Sequence, residues 1–176
     1  MANEINELMN KLLNGELHAA HLYWQCAAWC SERKLEGGSD FLIDHATEEL
    51  THMARIQTYM MDNDIPIQFS ALPQPTVEGE TVLELFEQIL QHEQKVTDSV
   101  GQAVQQVQQL GDHATFEFLQ WFVLEQRLEM KTFRGIVDRI QLIGDGPQAL
   151  YMVDRELAER AVAPSNDPTA SSGTAA

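Results

Sequence analysis

Apolar residues recur every three to four positions along most of this chain, a spacing typical of amphipathic α-helices. The pattern predicts five helices, divided by short segments rich in Gly, Pro and Asp. Runs of β-branched residues are few, so we expect an all-α fold. The expected helices cover residues 4–33, 40–63, 81–110, 113–143 and 148–160.

The connections between these helices indicate how the helices are arranged. Residues 37–40, Gly-Gly-Ser-Asp, are typical of a turn in which Ser39 or Asp40 caps the second helix. Residues 65–79 contain three prolines and are too long for a tight turn. About fifteen extended residues span ~45 Å, which matches a helix of roughly 30 residues. The sequence therefore predicts a four-helix bundle with a long crossover between the second and third helices, plus a short fifth helix.

The chain is expected to form one domain, residues 1–162, because this length suffices for a single core. Residues 163–176 have a low-complexity composition and are expected to be disordered. No apolar run approaches the ~20 residues of a membrane span. No secretory signal is recognisable, so a cytoplasmic protein is expected.

The net charge limits the classes of partner that we expect, and the cysteine spacing bears on disulfide formation. The formal net charge is −16, from 27 acidic and 11 basic residues. Such a chain repels nucleic acids and anionic membranes and attracts cations, although a solvated acidic surface gives the same charge. Cys26 and Cys30 lie four residues apart on a predicted helix, where we expect buried thiols and no disulfide.

Polar residues interrupt the seam of every long helix, where a seam is the set of positions, alternately three and four apart, that a bundle buries. The interrupting residues are Glu16 in the first helix, Glu49 and His52 in the second, Glu93 in the third, and Gln126 and Glu129 in the fourth. A single Glu-x-x-His pair is often a surface feature. Interruptions in four helices together indicate a shared site.

These residues are also predicted to meet at one height in the bundle. Antiparallel helices align residues that are equally far from the turn between them. Glu93 and Glu129 are each 18 residues from Gly111, and Glu16 and His52 are each 18 residues from the middle of the first turn. An unpaired buried carboxylate costs several kcal/mol or stays protonated.

No Lys or Arg falls in any of the four seams, so we expect a metal to neutralise the acids. Ligation mostly by carboxylates, with one histidine, favours a hard first-row ion such as iron. The predicted ligands of this di-iron site are Glu16, Glu49, His52, Glu93 and Glu129.

Two interpretations stay open for Tyr23, one heptad after Glu16. It is either a core tyrosine whose hydroxyl bonds a buried carboxylate, or a redox-active residue. Trp121 is expected to serve packing, and His45 is expected to be a core or end-of-bundle histidine. The histidines expected at the surface are His18, His21, His92 and His113.

Several motifs within residues 1–160 resemble those of the non-haem bacterial ferritins. They are Gly15-Glu16 followed by Tyr23, Glu-Glu-Leu-Thr-His-Met at 48–53, His-Glu-Gln at 92–94, Phe-Leu-Gln-Trp-Phe-Val-Leu-Glu-Gln at 118–126, and Leu-Tyr-Met-Val-Asp-Arg-Glu-Leu at 150–157. The resemblance implies a ferritin-like bundle in which the residue Glu49 bridges two irons. It also implies a role for each further site residue: Glu16 and His52 complete the first iron site, Glu93 and Glu129 complete the second, Gln126 bonds near the bound oxygen species, and Tyr23 lies beside the ligands.

At two positions the sequence departs from the patterns of related ferritins, and these departures limit which cofactors and metal sites the resemblance implies. Leu128 stands where bacterioferritins complete a second Glu-x-x-His, which would start at Glu125, and Leu50 stands at their haem-ligating Met, so no haem is expected. A third iron site would use Glu48, Glu125 and Glu129 together with an acid at position 128. Because Leu128 removes that acid, the third site is expected to be weakened or absent.

The resemblance implies iron storage with ferroxidase activity, in which Fe(II) is oxidised by O2 and ferric mineral is deposited in a hollow 24-subunit shell. One alternative is a di-iron oxidoreductase that acts on peroxide or an organic substrate. Filled seams at Tyr23, Val96 and Phe122 disfavour such a substrate pocket. The other alternative is a helical structural or interaction protein whose seam acids are merely solvated.

Overall fold

The computed structural model describes residues 2–144 and 146–161, and this part of the chain contains α-helices and no strand. The helices are α1 (Ala2–Glu32), α2 (Glu36–Asp62), α3 (Val82–Leu110), α4 (His113–Ile143) and α5 (Pro147–Ala161). The predicted all-α bundle with a short fifth helix is confirmed. No described helix is long and apolar enough to cross a membrane. The predicted disordered tail, residues 163–176, lies outside the described residues.

The long crossover between α2 and α3 is present and runs along α1. Two asparagine side chains of α1 hold it by hydrogen bonds to its main chain: Asn10 Nδ2 donates to the carbonyl of Pro66 at 2.8 Å, and Asn14 Nδ2 donates to that of Gln68 at 2.9 Å. The amides of Gln68 and Ser70 donate back to the Asn10 and Asn14 side chains. This path returns the chain to the other end of the bundle, so α2 and α3 run parallel.

Local capping explains where α3 and α4 begin. Thr81 and Glu84 form a reciprocal capping box at the start of α3. Gly111 adopts a positive φ of 72° and ends α3, as a glycine readily does. The side chain of Asp112 then accepts a hydrogen bond from the Thr115 amide and caps α4.

Two buried apolar clusters fill the two halves of the bundle. The first, next to α5, contains Phe41, Phe86 and Phe133. The second, at the opposite end, contains Met9 and Leu119. Buried polar side chains lie between the two clusters, in the middle of the bundle.

Cys26 and Cys30 are free thiols buried in the first cluster, as predicted. Burial raises the pKa of each thiol to about 12. Both therefore stay protonated at neutral pH and act as small apolar side chains.

Helix α2 begins at Glu36, so the turn predicted at residues 37–40 is wrong. The chain reverses at Lys34 instead, which has a positive φ of 63°. Leu35 is the N-cap residue and its side chain makes no capping hydrogen bond, so neither Ser39 nor Asp40 caps this helix.

The glycine pair in the first turn of α2 serves helix packing. The Gly38 amide donates to Oδ1 of Asp154 in α5 at 2.9 Å. A Cβ at Gly37 would lie only 2.0 Å from the carbonyl oxygen of the same Asp154. Asp154 thus satisfies a free amide at the start of α2 from a distant helix, and the glycines allow the two backbones to approach.

Gly37→Ala is expected to lower the free energy of unfolding by about 2 kcal/mol or more, because the added methyl must push α5 away. Gly101→Ala is the matched control: its Cβ would meet nothing within 4 Å, and Ala favours a helix over Gly by about 1 kcal/mol. Urea unfolding at equal chain concentration measures both variants. Equal stability of the two would contradict the close contact with α5.

Candidate metal centre

The five predicted ligands lie together in the middle of the bundle. They are Glu16 from α1, Glu49 and His52 from α2, Glu93 from α3 and Glu129 from α4. Each is at most 5% exposed. The helical period that buries the apolar neighbours also buries these side chains, so four helices deliver them to one region between the two clusters.

The ligand atoms from α1 and α2 form a compact group. One atom each from Glu16, Glu49 and His52 lie within 4.8 Å of one another. His52 Nδ1 is 3.2 Å from Glu49 Oε2 and 3.8 Å from Glu16 Oε2. Glu93 joins no such group of three within the described residues; its electrostatic influence on Glu49 still places the two carboxylates near each other.

Burial and mutual repulsion make these acids hard to ionise. Burial is the main cause that raises the pKa of Glu49 well above its ordinary value, and the Glu16 carboxylate raises it further. Burial and then Glu93 do the same for Glu129. Burial raises the pKa of Glu93 to about 7, although a hydrogen bond from Tyr23 opposes the shift.

Three oxygens of this centre have no hydrogen-bond partner: Oε2 of Glu16, Oε2 of Glu93 and Oε2 of Glu129. Across the described residues, the ion-pair partners of Glu16, Glu49 and Glu129 are histidines only. Buried acceptors without donors are rare and demand an explanation. A bound cation satisfies them, and this donor set of carboxylates with one imidazole fits a hard first-row dication.

Tyr23 is fully buried, and its hydroxyl donates to Oε1 of Glu93. Its ring stacks on Phe133, with centroids 5.7 Å apart. Burial raises the pKa of Tyr23 well above its usual range, so the phenol keeps its proton. This geometry agrees with the first of the two interpretations, a core tyrosine that bonds a carboxylate; a redox role stays a prediction.

Gln126 lies beside Glu93 and is held by a residue that the sequence reasoning missed. Its Oε1 accepts a hydrogen bond from Thr97 Oγ1 at 2.9 Å. With the carbonyl side of the amide occupied by Thr97, the NH2 group is left to interact with Glu93, and this interaction helps to lower the pKa of that carboxyl group. Thr97 lies four residues after Glu93 on α3, which is the signal that could have identified it.

His45 lies closer to the centre than a core or end-of-bundle histidine would. Its Nδ1 is 2.9 Å from the carbonyl oxygen of Phe41, and a carbonyl only accepts, so Nδ1 carries the proton. Burial lowers the pKa of His45, and the neutral ring then has a lone pair on Nε2. That Nε2, with its lone pair, lies 3.8 Å from Glu129 Oε2.

The residues predicted for a third site are also near one another. Ligand atoms of His45, Glu48 and Glu129 form one group within 4.8 Å, and those of Glu48, His52 and Glu125 form another. Leu128 is 45% exposed. The position of the missing acid is therefore exposed to solvent, whereas His45 lies next to Glu129.

Three histidines predicted at the surface are partly buried instead, and that prediction is wrong for them. They are His18, His21 and His92; His113 is exposed, as expected. Burial lowers the pKa of His92 to about 4. For His18 and His92 the misassignment arose because their rings meet at the contact between α1 and α3, which the period within one helix does not reveal.

Trp121 packs against the centre, as expected. Its ring centroid is 5.2 Å from that of His52. The guanidinium of Arg55 lies 4.4 Å from the indole on α4 and forms a cation–π contact. These contacts restrict the orientation of the His52 ring.

Comparisons with known proteins agree with this geometry. A family model described as ferritin-like domain matches residues 6–143. The bacterial non-heme ferritin of Campylobacter jejuni is 38% identical over 155 residues, which is 88% of this chain and 93% of that protein. That of Escherichia coli O157:H7 is 37% identical and covers 88% and 94%. An open-pore ferritin structure from Archaeoglobus fulgidus superposes with a TM-score of 0.87 at 31% identity and covers 90% of this chain and 98% of that one.

The metal-free protein is expected to lose stability as the pH rises. The folded state holds the Glu93 proton up to about pH 7, whereas the unfolded chain releases it near 4.5. The contribution of this group to the free energy of unfolding is therefore fully present below pH 4.5 and is lost as the pH rises to about 7. The loss is on the order of 3 kcal/mol. Urea unfolding of metal-free protein at pH 5 and pH 8 measures the loss. Glu93→Gln should show a shallower pH dependence, and identical profiles for the two proteins would contradict the shift.

Proposed function

This chain belongs to the ferritin family, and from that premise we propose that it stores iron and oxidises Fe(II) with O2 at its buried carboxylate centre. The relatives named bacterial non-heme ferritin support the storage function. The convergence of four buried glutamates and His52, with three unpartnered carboxylate oxygens, carries the proposal for this chain. These oxygens supply negative charge where the substrate ions need it.

The assignment of ligands to the two ions is the one that the sequence resemblance implies. We assign Glu16 and His52 to one Fe(II) and Glu93 and Glu129 to the other, with the Glu49 carboxylate shared. Each Fe(II) loses one electron, and O2 accepts both. As the charge on iron rises, the carboxylates neutralise it, and the protons they held at neutral pH are released on binding.

The neighbouring residues hold the ligands in place. The Tyr23 hydroxyl donates to Glu93, and the Gln126 amide stabilises the charged form of the same group, which positions that carboxylate although it has no basic partner. Trp121 restricts the His52 ring. The two apolar clusters exclude water from both sides, so the charges interact in a medium of low dielectric constant.

Storage needs an enclosed volume for the hydrolysed ferric product, and one bundle does not supply it. We propose a homo-oligomer in the form of a hollow 24-subunit shell, as the sequence resemblance implies. The net charge of −16 supports accumulation of cations in such a shell. The ferritin structures that this chain resembles are supporting evidence.

A second candidate, a di-iron oxidoreductase acting on peroxide or a small organic substrate, stays open because of one groove. This groove lies between α3 and α4, has a volume of about 680 Å³ and includes Gln126 in its lining. Gln126 is its point of contact with the centre. The candidate predicts oxidation of an added substrate without deposition of mineral.

Glu49→Ala is expected to reduce the initial rate of Fe(II) oxidation at least tenfold, because this residue serves both ions. Purified metal-free protein is mixed with Fe(II) in air, and the near-ultraviolet absorbance of the ferric product is followed. Glu117→Ala, which removes an exposed acid of α4, is the control and should keep the wild-type rate. Wild-type protein that oxidises Fe(II) no faster than buffer would refute the ferroxidase proposal.

A sizing column in the same experiment separates storage from the oxidoreductase alternative. A large particle that retains many more irons than two per chain supports storage. A monomer or dimer that oxidises Fe(II) but holds no mineral would leave only the oxidoreductase.

We also propose that the third site survives in altered form, with His45 in place of the missing acid beside Glu48 and Glu129, and with Glu125 at its edge. The support is the unprotonated Nε2 of His45, which faces the unpartnered Oε2 of Glu129. His45→Leu should remove one bound ion per chain and slow the later turnovers several-fold, while the first turnover stays fast. Anaerobic metal titration and stopped-flow absorbance measure both, and unchanged stoichiometry would exclude His45 as a ligand.

A further inference from the structure

Two histidines lie at the contact between α1 and α3, beside the carboxylate centre, and a third lies near one of them on α1. His18 and His21 are three residues apart on one face of α1. His92 comes from α3, and its ring centroid is 5.9 Å from that of His18, with the two planes at 65°. All three side chains are half-buried. None of them takes part in the proposed oxidation.

Each of the three rings has one nitrogen that is shielded from solvent and has no hydrogen-bond partner. These atoms are Nδ1 of His18, Nδ1 of His21 and Nε2 of His92. Leaving such a group unpaired costs about 1–3 kcal/mol. Unpaired nitrogens on neighbouring rings are better explained by one common ligand than by separate unsatisfied groups.

The chemistry of the cluster selects a cation that binds neutral nitrogen. The shielded nitrogen of each ring has no hydrogen-bond partner and can therefore offer its lone pair to a metal ion. The nearby Glu16 and the overall charge of −16 disfavour an anion. Neutral imidazoles are good ligands for Fe²⁺, Co²⁺ and Zn²⁺ and poor ones for Mg²⁺ and Ca²⁺.

The separation of the rings suits one shared ion. With metal–nitrogen bonds of about 2.1 Å and a tetrahedral angle, two imidazole centroids lie roughly 5.3 Å apart. The observed 5.9 Å therefore needs a movement of less than an ångström. The three nitrogens do not form a ligand group within 4.8 Å in the described chain, so the rings must also rotate toward the ion.

We propose that His18 and His92, with His21 as a third imidazole, bind one transition-metal dication at the contact between α1 and α3. The position gives this site a use that rests on the proposed ferroxidase function: it loads Fe(II) into the centre. Glu16 is two residues before His18, and Glu93 follows His92 directly. Transfer from neutral nitrogen to anionic oxygen is favourable for a hard dication, so the ion moves from the histidines to the carboxylate centre.

Anaerobic titration with Co²⁺, followed by visible absorbance and calorimetry, tests the site without any oxidation. The double variant Glu49→Ala/Glu129→Ala removes shared ligands of the centre and of the third site. It should still bind one Co²⁺ per chain with nitrogen ligation. Adding His18→Phe should abolish this binding, and adding His21→Phe should weaken it about tenfold.

His113→Phe in the same background is the matched control, because His113 is exposed at the start of α4 and should leave the bound Co²⁺ in place. In otherwise native protein, His18→Phe should lower the Co²⁺ count by one per chain, so the test does not depend on the double variant folding. Unchanged stoichiometry in His18→Phe, or equal losses in His18→Phe and His113→Phe, would overturn the site.

The loading role has its own measurement. His18→Phe should raise the KM for Fe(II) several-fold and leave kcat unchanged, because the oxidation site is intact. Loss of Co²⁺ with an unchanged KM would overturn loading and retain the binding site. If the wild-type protein oxidises no Fe(II), the ferroxidase proposal and the loading role fail together, while the Co²⁺ count still decides whether the histidines bind metal.

Discussion

Repulsion between carboxylates that four helices hold in one buried region is the constraint on which the rest of this structure depends. A domain is stable by about 5–15 kcal/mol, and one unpaired buried ion costs several kcal/mol of that. Four ionised glutamates without cations would therefore unfold the bundle. Protons relieve the repulsion in the metal-free protein, and the raised pKa values of Glu49, Glu93 and Glu129 express this.

The remainder of the bundle keeps these acids together despite their repulsion. Apolar clusters above and below the centre supply the burial energy. The asparagines of α1 hold the crossover that makes α2 and α3 parallel. Asp154 attaches α5 to the start of α2. The packing at both ends of the bundle thus offsets the carboxylate repulsion in the middle. Bound cations would relieve that repulsion, so the centre favours their binding.

Nitrogen and oxygen ligands both lie around the centre. Imidazoles of α1 and α3 pack against each other, and His45 and Glu48 lie next to Glu129. In the proposed loading of iron, the histidines bind the ion before the carboxylates do. The proton on His45 Nδ1 and the unpartnered nitrogens of the other three histidines are the observations that distinguish these rings from ordinary packing.

The sequence by itself determined the helices, the seams and the five acid and histidine positions, because helical periodicity and the spacing from each turn are local properties. The same reasoning failed at Gly37 and Gly38, where two glycines suggest a turn but in fact admit α5. It also placed His18 and His92 at the surface. Only the tertiary structure decided these cases and the position of His45 beside Glu129. Each depends on the distance between atoms of helices far apart in the chain, and no pattern within one helix contains that distance.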